Sequence, residues 1–208
     1  MSANRPGVEL GKLIADIARD EAALRTLIPG RLAGFLEGLE RIVGCDQGRL
    51  VHFEGDVAVH AAKVVANLAR LAPLDPLCPV DHVDWVAALL HDSEKPACRV
   101  EAPNGAVWFP GHERRAALLV PAHASRLRLT PEEEAKLQFL VGEHGNAHLF
   151  PNLPGYDRRR LAGSPHWRNL RLLQRADAEG CYLNPQGTEW LPDRWDDFAR
   201  EAMVSGLA

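Results

Sequence analysis

The chain has 208 residues, 46% hydrophobic and 25% charged, with a formal net charge of −4. That length buries one well-formed core and is short for two full domains, and the acidic balance excludes a broadly basic nucleic-acid coat while leaving room for a local basic pocket. The N-terminus MSANRPGVEL lacks the charged-then-apolar order of a signal peptide, no apolar run reaches the roughly 18 residues of a membrane span, and the four scattered cysteines form no C-x-x-C pair, so a cytoplasmic protein with reduced thiols is expected.

The dominant period is helical. Residues 8–28 place Leu10, Leu13, Ile14, Ile17, Leu24 and Ile28 on one stripe, ended by Pro29-Gly30, and residues 31–43 repeat the pattern with Leu32, Phe35, Leu36, Leu39 and Ile42. A loop at 44–50 leads to an apolar helix over 55–72, closed by Pro73 and Pro76. Another helix is predicted over 80–92 and stopped by Pro96; the stretch CRVEAPNGAVWFPG then holds turns and at most a short hairpin. Residues 112–128 read as a helix kinked at Pro121. Thr130-Pro131-Glu132-Glu133 supplies an N-cap, a proline at the first helical position and a capping-box glutamate for a helix running to about Glu143. Residues 145–163, rich in Gly, Pro, Asn and Arg, read as loop, and helices over 166–180 and 193–205 close the chain, with Trp190 and Trp195 as packing residues. No stretch alternates with a two-residue period. The expected fold is all-α: a single domain over 1–208, the first two helices being an addition to a core at about 52–180.

Within that core, metal-type side chains recur in one order: His60, the adjacent pair His91-Asp92, His112, His144 and Asp177. Helical spacing puts His60 on the face of Val57, Val64 and Leu68, His144 on that of Leu137 and Leu140, and Asp177 on that of Leu170 and Leu173. One inward histidine is usually a hydrogen-bonded core residue. Four inward polar side chains plus His91-Asp92 are expensive to bury one by one, whereas a shared metal satisfies them together. Adjacent helical residues point about 100° apart, so His91 and Asp92 serve one site only if their helix is ending, as Pro96 suggests. The carboxylate of Asp92 has two oxygens with which to bridge two ions. Imidazole and carboxylate ligands without a thiolate suit a catalytic divalent transition metal (Mn, Fe, Co or Ni, one or two ions per chain) rather than structural zinc.

With its order of H, HD, H, H and D, the chain resembles the HD-domain phosphohydrolases. The segments AALLHDSEKP, FPGHERRAALLV, LVGEHGNAH and LLQRADAEG look most like the HD domain attached to bacterial CCA-adding tRNA nucleotidyltransferases. The resemblance implies an all-helical HD bundle and metal-dependent phosphoester hydrolysis. It also implies that His60, His91, Asp92 and Asp177 hold a first ion, that His112 and His144 with a bridging Asp92 hold a second, and that Lys95 faces phosphate. The family's usual HD-G-K run is here His91-Asp92-Ser93-Glu94-Lys95. No nucleotidyltransferase region precedes it, so CCA addition itself is not expected.

Arg114 and Arg115, just after His112, are candidates for phosphate contact, with helix-surface pairing as the plain alternative. Arg158, Arg159 and Arg160 read as a solvated face, and His52, His82, His123, His148 and His166 as solvent or loop residues. The expected substrate is a small nucleotide or an RNA 3′-end phosphate, 2′,3′-cyclic phosphates included, with no membrane partner and no broad nucleic-acid surface. Two alternatives stand beside this reading: a metal- or nucleotide-binding HD module with little turnover, and a dNTP triphosphohydrolase.

Overall fold

A computed structural model describes residues 5–48, 52 and 54–181. Helices dominate them: α1 Pro6–Ile17, α2 Glu21–Leu27, α3 Ala33–Phe35, α4 Val57–Leu71, α5 His82–Leu90, α6 Lys95–Cys98, α7 His112–Leu127, α8 Pro131–His148, α9 Gly155–Ala162 and α10 Trp167–Ala178. The expected all-α class is observed. The expected helix at 193–205 lies outside the described residues, as do Trp190 and Trp195.

The N-terminal stripe is divided more finely than its period indicates. Asp20 accepts a hydrogen bond from the backbone N–H of Ala23 and so starts α2 afresh, ending α1 at Ile17. The expected helix over 31–43 is broken. A π-helical turn at Ile28–Leu32 runs into the single turn of α3, Leu36 is extended, and Gly38 adopts the left-handed region at φ +87° before a 3-10 turn at Leu39–Ile42. The apolar residues are nonetheless buried, because short turns deliver Leu32, Leu36, Leu39 and Ile42 to the core as well as a helix would.

The core lies where α4, α5, α8 and α10 pack on one another, with α7 against α8 and α1 against α5. Helix α4 together with the 3-10 turn after it, Val57–Leu74, does reach 18 residues of membrane-span composition, contrary to the sequence reading; half of that window is buried inside the fold. Its Val57, Ala61, Val64 and Leu68 form a core face that also carries His60. Between α6 and α7 a two-stranded hairpin forms, β1 Val100–Glu101 with β2 Val107–Trp108, turning through Asn104 and Gly105. Helix α7 passes through Pro121 uninterrupted. Helix α8 has the expected Thr130 capping box but runs five residues past Glu143, to His148. At Gly145 the start of α7 comes close, a Cβ there lying 3.1 Å from Glu113 Cδ. Most of the expected 145–163 loop is therefore helical, as the end of α8, a 3-10 turn and α9.

Candidate metal centre

His60 projects from α4 with its ring fully buried. Its Nε2 lies 2.9 Å from Asp177 Oδ1 on α10, 3.4 Å from His91 Nε2 and 3.5 Å from Asp92 Oδ2. His91 Nε2 in turn lies 3.2 Å from Asp92 Oδ2. The pair achieves this convergence because α5 ends at Leu90. A tight turn follows, in which Ser93 N–H donates to Leu90 O and Lys95 N–H donates to Asp92 O. Pro96 sits in the first turn of α6, so it opens a new helix after that turn.

Asp92 faces both ways. Its Oδ1 points away from the first group and lies 3.0 Å from His112 Nε2 and 3.6 Å from His144 Nε2. His112 is delivered by the hairpin's return through Gly111, and His144 by α8. Two buried sets thus form, His60–His91–Asp177 and Asp92–His112–His144, each with donor atoms within 4.8 Å of one another, as a metal-binding group requires.

Three of these histidines share one orienting device. The Nδ1–H of His91 donates to Ala88 O at 3.0 Å, that of His112 to Phe109 O at 2.8 Å, and that of His144 to Val141 O at 2.8 Å, each three residues back. This fixes the proton on Nδ1 and leaves the Nε2 lone pair aimed at the centre, the arrangement that outer partners impose on metal-ligating imidazoles. His112 Nε2 is buried with no hydrogen-bond partner. An orphaned acceptor beside a carboxylate oxygen suits a cation between them and is otherwise costly.

The electrostatics follow from burial among opposite charges. Burial raises the pKa of Asp92, but the fields of His91 and Lys95, with His112 and His144 close beside its Oδ1, outweigh it, holding the carboxyl well below its usual range. Asp177 is likewise held low, with His148 and His60 overcoming burial. Burial disfavours a charge on His60, yet Asp177, Cys181 and Glu54 raise its pKa well above the ordinary value. His144 is lowered, by burial first.

Of the remaining candidates, Lys95 is buried and on the centre: Nζ lies 2.7 Å from Asp92 Oδ2 and 2.8 Å from Gln47 Oε1. Arg115 is drawn to the buried Glu94 at 2.5 Å, where Arg41 joins at 2.6 Å; Arg114 is exposed. Arg160 pairs with Glu143 at 2.7 Å. Two histidines read as solvent or loop residues sit against the centre. His148 Nε2 lies 2.7 Å from Asp177 Oδ2, and His52 packs edge-on to His60 with ring centroids 5.1 Å apart. The signal for His148 was its spacing four residues beyond His144, visible only if α8 runs on. Glu54 was not singled out by the sequence.

No protein-family model matches the chain, and no solved structure does. Among curated proteins it is similar to the Multifunctional CCA protein of Paracidovorax citrulli, 32% identical over 149 residues, which is 72% of this chain and 30% of that protein. It is also similar to the Multifunctional CCA protein of Alkalilimnicola ehrlichii, 34% identical over 186 residues, 83% of this chain and 40% of that protein. The chain thus spans less than half the length of either relative, and its relation to the Multifunctional CCA proteins is one of sequence similarity over that shared segment.

Proposed function

We propose that the chain is an HD-type domain that binds two divalent transition-metal ions and hydrolyses nucleotide phosphoesters, with small cyclic nucleotides or an RNA 3′-end phosphate as substrate. The observation that carries this reading is the division of Asp92, one oxygen to each histidine set. A carboxylate placed between two groups of inward-aimed imidazole lone pairs is the donor arrangement of a two-metal site. In this reading His60, His91, Asp92 and Asp177 hold one ion, and Asp92, His112 and His144 the other. Such a pair, when bound, supplies an activated water and neutralises charge on the phosphoryl group.

The chain's own groups do the rest. The carbonyls of Ala88, Phe109 and Val141 hold the proton of each imidazole on Nδ1, away from the reacting centre. His148 occupies the second oxygen of Asp177 and fixes the orientation of that carboxylate. Lys95 remains a cation: burial lowers its pKa, and Asp92 more than restores it. Held between Gln47 and Asp92, its ammonium is a point charge available to a phosphoryl oxygen. The resemblance to the HD domain of CCA-adding tRNA nucleotidyltransferases, together with the similarity to two Multifunctional CCA proteins, supports an RNA 3′-end or nucleotide substrate, and the acidic net charge favours a small one over a long RNA. The test is turnover of bis(p-nitrophenyl) phosphate, 2′,3′-cyclic nucleotides and mononucleotides by chain loaded separately with Mn, Fe, Co and Ni. Turnover abolished in Asp92→Ala is the expected result; no turnover with any metal overturns the enzymatic reading and leaves a binding module.

A further inference from the structure

His60 uses only one of its ring nitrogens toward Asp177. The other, Nδ1, is fully buried, makes no well-aligned hydrogen bond, and faces a second group of donors on the opposite side of the ring. Glu54 Oε1 lies 2.9 Å from it, and the same oxygen lies 2.7 Å from His52 Nδ1. Cys181 Sγ is 3.7 Å from that nitrogen of His52. The two imidazole rings stand at 81° to each other, so their nitrogens converge without the rings stacking. One atom from each of His52, Glu54, His60 and Cys181 falls within 4.8 Å of all the others.

Hydrogen bonding alone does not account for this packing. The Nδ1 of His52 meets both a carboxylate oxygen and a sulfur, and can donate only one proton, while the Nδ1 of His60 is left without a well-directed partner. Tetrahedral zinc, with bonds of about 2.0–2.1 Å to nitrogen and oxygen and about 2.3 Å to sulfur, sets neighbouring ligand atoms roughly 3.3–3.6 Å apart. The separations of 2.7, 2.9 and 3.7 Å lie on either side of that range, and all four ligand atoms lie within 4.8 Å of one another, so side-chain adjustments on the order of half an ångström to an ångström would seat an ion. The donor chemistry also differs from that of the centre above. A thiolate with two imidazoles and a carboxylate selects a borderline-soft ion such as Zn²⁺ or Co²⁺ and discriminates against Mg²⁺.

We propose that His52, Glu54, Cys181 and Nδ1 of His60 form a separate, thiolate-bearing site for one divalent ion of the zinc class; when the His91–Asp92–Asp177 group is filled as well, His60 would bridge the two ions as an imidazolate, its remaining ring proton released to solvent. Two of the ligands, His52 and Glu54, precede α4 and the fourth follows α10, so the ion would tie the start of one core helix to the end of another. The inference stands on this cluster alone and does not depend on phosphoester hydrolysis.

The test is titration of the reduced chain with Co²⁺ alone under anaerobic conditions. The Asp92 centre contains no sulfur, so a near-ultraviolet sulfur-to-cobalt charge-transfer band reports only a thiolate ligand. The expected result is a band that saturates in the wild type, disappears in Cys181→Ser, falls sharply in His52→Ala and persists in Asp92→Ala. Should Cys181→Ser fail to fold, alkylation of the wild type read residue by residue by mass spectrometry replaces it: Zn²⁺ should protect Cys181 and leave the rates at Cys45 and Cys98 unchanged. No charge-transfer band, a band unaltered in Cys181→Ser, or Cys181 alkylated equally with and without Zn²⁺ would each overturn the site. A wild-type chain that shows the band but no phosphoesterase activity with any metal would count against the hydrolase reading only.

Discussion

The ammonium of Lys95 sits 2.7 Å from Asp92 Oδ2, the same oxygen that lies 3.2 Å from His91 Nε2. A charge so placed can act on bound phosphate without being a metal ligand, because an ammonium has three donors and no lone pair.

Lys95→Ala should therefore lower kcat/KM for a phosphodiester by roughly 10²-fold, the scale for removing one charge-stabilising donor. Metal content by elemental analysis should stay at the wild-type level. Full activity in the alanine variant would reduce Lys95 to a structural partner of Asp92.

Asp92 and His112 should separate in metal content. Asp92 offers one oxygen to each histidine set, whereas His112 reaches only Oδ1. Asp92→Ala should strip metal from both sets and abolish turnover; His112→Ala should retain the ion of the His60–His91–Asp177 group and lose the other. Equal loss in both variants would mean one shared ion.

Lys136 on α8 sits 2.8 Å from Asp84 and 2.9 Å from Asp81 at the start of α5, with Asn169 of α10 on the other oxygen of Asp84. Lys136→Met should destabilise the fold by about 3 kcal/mol, the scale for breaking a buried pair from one side. Burial lowers the Lys136 pKa, but Asp84 and Asp81 outweigh it and the folded value is raised. A raised cation stabilises fully below its unfolded pKa and loses that contribution as pH rises through the folded value. The gap between wild type and variant in urea denaturation should thus be widest near neutral pH and narrow above about pH 10.4. A gap that widens with alkali would contradict this assignment.

At Gly11 helix α1 lies hard against the start of α5. A Cβ there would lie 2.6 Å from His82 Cα and also strike His82 Cβ, and neither backbone can give way cheaply. Gly11→Ala should cost about 1–3 kcal/mol and lower the Tm in thermal unfolding, whereas Gly30→Ala, where a Cβ meets nothing within 4 Å, should not. Equal Tm values would show that α1 can shift to accommodate the methyl group.

The sequence by itself determined the helical class, the inward faces of α4, α8 and α10, and the ordered set from His60 to Asp177. Helical period and capping are local, so Val57, Val64 and Leu68 reveal where His60 points, and Thr130-Pro131 with Glu133 fixes where α8 begins. It did not determine where α8 ends or how residues 31–43 turn, because the length of α8 and the left-handed turn at Gly38 answer to packing and backbone geometry more than to period. Only the tertiary structure decided that His148 and His52 reach the centre, that Glu94 engages Arg115, and that Asp92 divides its oxygens between two histidine sets. The period says which side of a helix is buried; which atoms meet across helices is set by their relative register, and that register comes from side-chain packing over contacts far apart in the chain.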